Sequence, residues 1–384
     1  MNILIVIDVL NGHNGTLKIM RNIAQGFRKN HNVRIIFFGR SNDYKNVLSL
    51  FDGFNYDILY SRYFCSIEKF FKVSITKKHT NLRDDDIPSF LTQFYMFKHL
   101  KRVSFDPDLI IFSNIFSSLS LILNDNKKSA VILHEAPLFD DFNFFIKNIM
   151  HIYVDMIGKR AKYLSISDMT TQKTNRKFKL DIVTNPPLAF SNPENDLKKE
   201  KIVLLDTRWT ADRDPLFAIE LAKKINGLKI VMHGVFTDEA AYKKLKDEIT
   251  SKGYNIELIA NDSEEDLEDL YKRAFIVLRW SGIHETGNSL SIMNAISYGC
   301  IPVIDENLGS SGFIRENISI DLVVKKDPEC FSNIILKLMN DEDYYKNILR
   351  KVIDCKRKFS WENYANDILN DLSPLILDRY SVFQ

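Results

Sequence analysis

Residues 2–38 read NILIVIDVLNGHNGTLKIMRNIAQGFRKNHNVRIIFF. From Ile3 to Asp8 the chain is apolar until its closing aspartate, as a parallel strand buried on both faces requires. A short loop with Gly12 and Gly15 follows, and then Leu17, Met20, Ile23, Ala24 and Phe27 recur at helical spacing. Val33 to Phe38 is a second apolar run. Strand, helix and strand in this order make a βαβ unit, which predicts a doubly wound α/β domain.

Working outward, further strands are expected at Leu109–Phe112, Ala130–Leu133 and Tyr163–Ser167. Polar residues 80–89 read as a surface loop. Around 186–200 the sequence PPLAFSNPENDLKKE gathers three prolines and a charge run, the best linker candidate. A second series follows, with strands expected at Ile202–Leu205, Lys229–Met232, Ile256–Ile259, Phe275–Leu278, Ile301–Ile304 and Leu322–Val324. The predicted division is 1–187 and 198–360, with an amphipathic helix from Trp361 packing back on the first domain. A chain of 384 residues exceeds what one core usually serves.

With 45% hydrophobic and 27% charged residues the composition is that of an ordinary soluble protein. No apolar run is long enough for a membrane span. The start lacks the basic residues and cleavage site of a secretory leader. Cys65, Cys300, Cys330 and Cys355 have no metal-ligand spacing, which points to reduced thiols and a cytoplasmic protein. A net charge of +2 argues against a nucleic-acid partner. Residues 1–190 hold 26 Lys/Arg against 17 Asp/Glu, and the remainder is acidic. That asymmetry reads as two surfaces with different partners or as chance segregation of solvated charge.

Glycine is scarce, and five of the 14 (Gly282, Gly287, Gly299, Gly309, Gly312) fall within 31 residues. They follow the carboxyl ends of predicted strands, where open α/β sheets bind ligands. There, residues 280–304 read WSGIHETGNSLSIMNAISYGCIPVI. Glu285 precedes a helix expected to start near Asn288-Ser289 and run to Tyr298. Backbone N–H groups at such a start can hold phosphate; equally, Asn288 or Ser289 merely caps the helix. Arg208 and Arg213 lie in the loop after the strand ending near Asp206. Their planar forks suit a pyrophosphate, or they pair at the surface with Asp212 and Asp214. His134 ends another strand, where an imidazole can bond a sugar, assist a proton transfer or be structural. Gly12-His13-Asn14-Gly15 is not GxGxxG, and Phe37-Phe38-Gly39-Arg40 replaces the acidic strand end of a dinucleotide fold, which weakens a nicotinamide reading.

Taken together, these segments resemble the retaining glycosyltransferases of family four. ILIVIDVLNGHNG resembles that family's opening, SFDPDLIIFSN and VILHE its next strands, and YLSISDMT with IVTNPP the end of its first domain. IVLLDTRWTADRDP resembles its diphosphate loop, RWSGIHETGNSLSIMNAISYGCIPVI its E-x7-E segment, and FSWENYA its closing helix. The resemblance implies a GT-B fold, two Rossmann-like doubly wound parallel-sheet domains facing across a cleft. It also implies transfer of a hexose from a nucleoside diphosphate sugar, UDP- or GDP-linked, to a glycan or polyprenyl-phosphate-linked acceptor, without metal or other cofactor.

By position, Arg208 and Arg213 match the family's diphosphate ligands, and Gly15 matches the glycine that admits the donor phosphate. His134 matches the histidine near the transferred sugar, and Glu285 the first Glu of E-x7-E, which binds sugar hydroxyls. Asn288, Ser289 and Leu290 match the helix start at the donor. Asn294 falls where the second Glu binds ribose; it lies nine positions after Glu285, one more than in E-x7-E, and Ser289 stands for a glycine and Thr207 for the glycine before Arg208. A catalytically silent nucleotide- or sugar-binding protein with the same fold is the alternative. Asp84-Asp85-Asp86, in a polar loop, and Asp106-Pro107-Asp108, in a turn, are not assigned to a metal. The basic first half suits an anionic or lipid-linked acceptor. Lys69–Lys78 and the helix around Phe142–Lys162, with Phe142, Phe145, Ile146, Ile149, Ile152, Tyr153 and Met156 on one face, read as a peripheral contact with the inner membrane face or as a core helix with a solvated rim.

Overall fold

A computed structural model of the chain describes all residues except 8–14, 39–47, 65, 68–90, 124–127, 138–143, 159, 185–198, 226, 261–263, 283, 284, 286, 360 and 378–384. The Gly12–Asn14 loop, Gly39-Arg40, Asp84–Asp86, Lys69–Lys78, Phe142, His284 and most of the expected linker therefore lie outside the described residues. The chain divides into two compact units, Met1–Pro187 with Trp361–Gln384, and Leu188–Ser360.

The first unit is built on a parallel sheet of β1 (Asn2–Ile7), β2 (Asn32–Phe38), β3 (Asn55–Leu59), β4 (Leu109–Phe112), β5 (Ser129–Leu133), β6 (Lys162–Ser165) and β7 (Ile182–Thr184). Their order is β3-β2-β1-β4-β5-β6-β7. Chain order reverses between β1 and β4, the switch point of a doubly wound sheet. Ile3 to Ile7 are fully buried because helices cover both faces of a parallel sheet. Helix α1 (Gly15–Arg28) turns Leu17, Ile19, Met20, Ile23, Ala24 and Phe27 inward. β3 escapes the sequence pattern because it is an edge strand, with Tyr56 and Ile58 exposed. The strand expected to reach Ser167 stops at Ser165, where Ser165 and Ser167 bond each other in a turn.

This unit also contains helix α2 (Phe144–Gly158) and the last helix of the chain, which packs against α1. That last helix, Trp361–Leu377, buries Tyr364, Ala365, Ile368 and Leu372.

The second unit holds β8 (Glu200–Asp206), β9 (Lys229–His233), β10 (Ile256–Ile259), β11 (Ala274–Arg279), β12 (Ile301–Asp305) and β13 (Val323–Val324), all parallel, in the order β10-β9-β8-β11-β12-β13. Helix α3 (Glu264–Arg273) leads into β11, and α4 (Leu290–Ser297) joins β11 to β12. Leu204, Val231, Val277 and Val303 lie in the core under these helices. β8, β9, β11 and β12 are consecutive neighbours, so their carboxyl ends stand side by side.

Candidate functional site

Each of these four neighbouring strands runs apolar and then ends on a polar or charged residue: Asp206, His233, Arg279 and Asp305. Asp206 is held from two sides. The His233 ring Nδ1 lies 3.2 Å from its Oδ1, and the Tyr271 hydroxyl donates to its Oδ2 at 2.6 Å. Burial raises the Tyr271 phenol well above its ordinary value, so it stays a donor. The same hydroxyl lies 3.2 Å from the Ser291 carbonyl in the first turn of α4. Asn294, expected to meet a ribose, lies near this phenol and opposes the rise.

The loop after β8 is shaped by Trp209. Its backbone N–H donates to the Val235 carbonyl at 2.8 Å, its indole N–H donates to the His233 carbonyl at 3.1 Å, and its ring stacks on Phe236. Burying Trp209 leaves Arg208 exposed, with no ion pair among the described residues, and turns Arg213 back over the loop. Arg213 Nη1 donates to Thr207 Oγ1 at 2.6 Å and to the Arg208 carbonyl at 2.7 Å. The surface pairing considered for Arg213 with Asp212 or Asp214 does not form: Arg213 pairs with Glu285, and Asp214 pairs with Lys326 at 3.2 Å.

Glu285 is the hub of the site. Its Oε1 takes both the Arg213 and the Arg279 guanidinium, and its Oε2 accepts the Gly282 N–H at 3.1 Å. Its own carbonyl accepts the Gly309 N–H at 3.1 Å, which ties the loop to the turn after β12. Ser281 is fixed to Asp305 through its hydroxyl and its N–H. Arg279 is 8% exposed. Burial pushes its guanidinium below the ordinary value, while the Glu285 carboxylate works in the opposite direction. Two guanidiniums thus share one carboxylate, and Asp206 on β8 adds a further attraction for Arg279.

Helix α4 begins at Leu290, with Ser289 at the N-cap position. Ser289 does not cap with its side chain; its hydroxyl pairs with that of Ser291 at 2.8 Å, and its N–H donates to Ser310 Oγ at 2.8 Å. The simple-cap alternative therefore fails for Ser289. Asn288, one residue earlier, is buried.

In the first unit, Gly15 opens α1 after β1, and His134 follows β5. The His134 ring nitrogens are buried, and burial pushes the imidazole down to about 4 against a weaker opposing contact from the Ser113 backbone. Of the roles considered for His134, this disfavours the proton transfer: the ring is neutral at pH 7 and a poor proton acceptor. Cys300 and Cys355 are buried thiols, both pushed up by burial, to about 11 and about 12.

Sequence reasoning missed Arg279, Asp206, Tyr271 and His233 as site residues. The signal was the polar residue closing each apolar strand, since a charge in that place is costly unless paired.

HepE (Alr3699) of Anabaena, in complex with UDP and glucose, superposes with a TM-score of 0.73 at 12% identity, over 97% of this chain and 100% of that one. A glycosyltransferase from Rickettsia africae gives 0.69 at 15% identity, with 98% of each chain covered. A TarM variant from S. aureus, in complex with fondaparinux, α-GlcNAc-glycerol and UDP, gives 0.68 at 14%, over 97% and 99%. The chain has the GT-B fold. In sequence, residues 189–353 match the family model Glycosyl transferases group 1. No curated protein matches the chain significantly.

Proposed function

We propose that this chain is a metal-independent glycosyltransferase that moves a hexose from a UDP- or GDP-sugar, with retention of configuration, onto a glycan or a polyprenyl-phosphate-linked acceptor. The observation that carries the reading is the cluster of Arg213, Arg279 and Glu285, with exposed Arg208 beside it, at the carboxyl ends of β8 and β11. This is where open α/β sheets take ligands, and it lies within the segment that matches the family model. The match and the UDP-bound neighbours support the donor class; the glycan ligands of the TarM structure support the acceptor class.

In this reading Arg208 and Arg213 bind the donor diphosphate and stabilise the negative charge that builds on it as the glycosidic bond breaks. The start of α4, at Asn288, Ser289 and Leu290, adds its helix dipole. Glu285 receives sugar hydroxyls. His134, neutral at pH 7, is suited to hydrogen bonding rather than to removing a proton. The departing phosphate accepts the acceptor's proton, so no protein base is needed.

The exposed side chains of Phe144, Ile149, Ile152 and Met156 on α2 support a peripheral contact with the inner membrane face. The stripe differs from the expected one. Tyr153 turns inward, its hydroxyl donating to the Ile115 carbonyl at 2.8 Å. Among the described residues no helix is long and apolar enough to cross a membrane.

The double variant Arg208→Ala, Arg213→Ala tests the assignment: turnover should fall at least about 100-fold, as for loss of a transition-state charge partner, with the thermal transition retained. Full activity would sink it. Hydrolysis of a panel of nucleotide sugars separates this reading from the silent binder, which releases no sugar.

A further inference from the structure

Glu285 serves two cations at once, and for one of them it is the one ion pair among the described residues, with Asp206 a weaker, more distant attraction. Arg213 is bonded three ways, to Thr207, to the Arg208 carbonyl and to Glu285. It sits on a loop between exposed Arg208 and the positive-φ residue Asp214. Arg279 differs in every respect. It closes a central strand, its side chain is 8% exposed, and its Nε is buried without a hydrogen-bond partner. Glu285 is its one ion-pair partner among the described residues.

This asymmetry has a consequence for anion binding. A nucleoside diphosphate that engages Arg213 competes with Glu285 for the same guanidinium. If Arg213 were the only partner of Glu285, its departure would strand a largely buried carboxylate beside incoming phosphates. That arrangement is doubly unfavourable, through loss of pairing and through like-charge repulsion. Arg279 removes the conflict. Its rigid base on β11 holds Glu285 when Arg213 turns away, and the Gly282 N–H keeps Oε2 fixed.

We propose that Arg279 is a positioning residue: it retains Glu285 while Arg213 exchanges that carboxylate for the diphosphate, so that phosphate arrival leaves Glu285 aimed at the sugar. This rests on the nucleoside diphosphate sugar reading above. Glu285 holds the place on Arg213 that a diphosphate would take, and with the diphosphate there it would belong to Arg279 alone. The donor therefore meets a site whose carboxylate is already neutralised.

The experiment is a double-mutant cycle on the full chain, read by titration calorimetry with UDP, GDP and ADP, and then with the glucose conjugate of whichever binds best. Arg279→Met should weaken nucleoside diphosphate binding at least tenfold. In the Glu285→Gln background, where no carboxylate needs holding, the same change should cost less than threefold. Arg279→Lys, which keeps the charge and loses the fork, should recover part of the loss. A folded Arg279→Met protein that binds within twofold of the wild type overturns the proposal. So does an equal loss in both backgrounds, because Arg279 would then act by its own charge and not through Glu285. Should Arg279→Met fail to fold, Arg279→Lys is carried through the same cycle: a loss of threefold or more that vanishes with Glu285→Gln supports the proposal, and an unchanged affinity overturns it. A wild type that binds none of the three diphosphates overturns the nucleotide reading itself, and the proposal with it.

Discussion

Gly234→Ala should damage both the stability and the anion site of the second unit. Gly234 follows β9 at φ +124, a conformation that side-chain-bearing residues rarely adopt, and a Cβ placed there would lie 2.0 Å from the Thr207 carbonyl oxygen. That obstacle is backbone, so no rotamer change relieves it. Holding a non-glycine residue in such a region costs about 1–3 kcal/mol, and overpacking costs a further 1–3 kcal/mol or so, giving about 4 kcal/mol at the middle of the range. For a domain the size of Leu188–Ser360 each kcal/mol moves the midpoint by about 2–4 °C, so a fall of about 8–16 °C is expected. Thr207 cannot move alone, because its N–H donates to the His233 carbonyl and its hydroxyl accepts from Arg213. Displacing it loosens Arg213, so UDP or GDP binding should weaken about tenfold, the worth of roughly one charge-assisted hydrogen bond. Differential scanning calorimetry and titration calorimetry read the two effects. A midpoint within about 2 °C of the wild type would show that the loop after β8 yields freely and would refute the rigid coupling of Gly234 to Arg213.

Three further outcomes are expected. The His134 imidazole has a folded-state value near 4, below the unfolded value of about 6.5. The fold thus prefers the neutral ring; this stability is fully present above about pH 6.5 and is lost progressively as the pH falls toward 4. Urea denaturation at about pH 7.5 and about pH 5 should show a smaller loss for His134→Asn than for the wild type, and equal losses would refute the assignment. Lys199 Nζ donates to the carbonyls of Tyr271, Lys272 and Tyr298 at 3.0, 3.2 and 2.6 Å, closing the ends of α3 and α4. Lys199→Met should destabilise by about 2 kcal/mol in denaturant titrations; a change under about 0.5 kcal/mol would show that water replaces the ammonium at no cost. Replacing Phe144 and Ile152 on α2 by Glu should abolish co-sedimentation with anionic vesicles, and a wild type that stays in the supernatant at low salt would remove the membrane contact.

Much of the architecture was legible from the sequence. Ile3–Ile7 and Leu109–Phe112 are strands because continuous apolar runs in a parallel sheet bury both faces, and that signal needs no neighbour to interpret it. β3 was not legible: an exposed edge strand carries mixed residues and owes its state to pairing with β2. The site divided in the same way. Arg208, Arg213 and Glu285 were readable as residue types in loops after strands. Their mutual arrangement was not, because it depends on β8 and β11 being neighbours although residues 207–273 separate them in the chain.

The sequence by itself determined two series of parallel strands, the scarce glycines gathered after β11, and a chemistry suited to anions. Tertiary structure alone decided that Glu285 is shared between Arg213 and Arg279, that Tyr271 and His233 hold Asp206, and that the His134 ring is neutral. The physical reason is that periodicity is a local property of the chain. Charge pairing and desolvation, in contrast, are set by whichever distant residues the sheet order brings within a few ångströms.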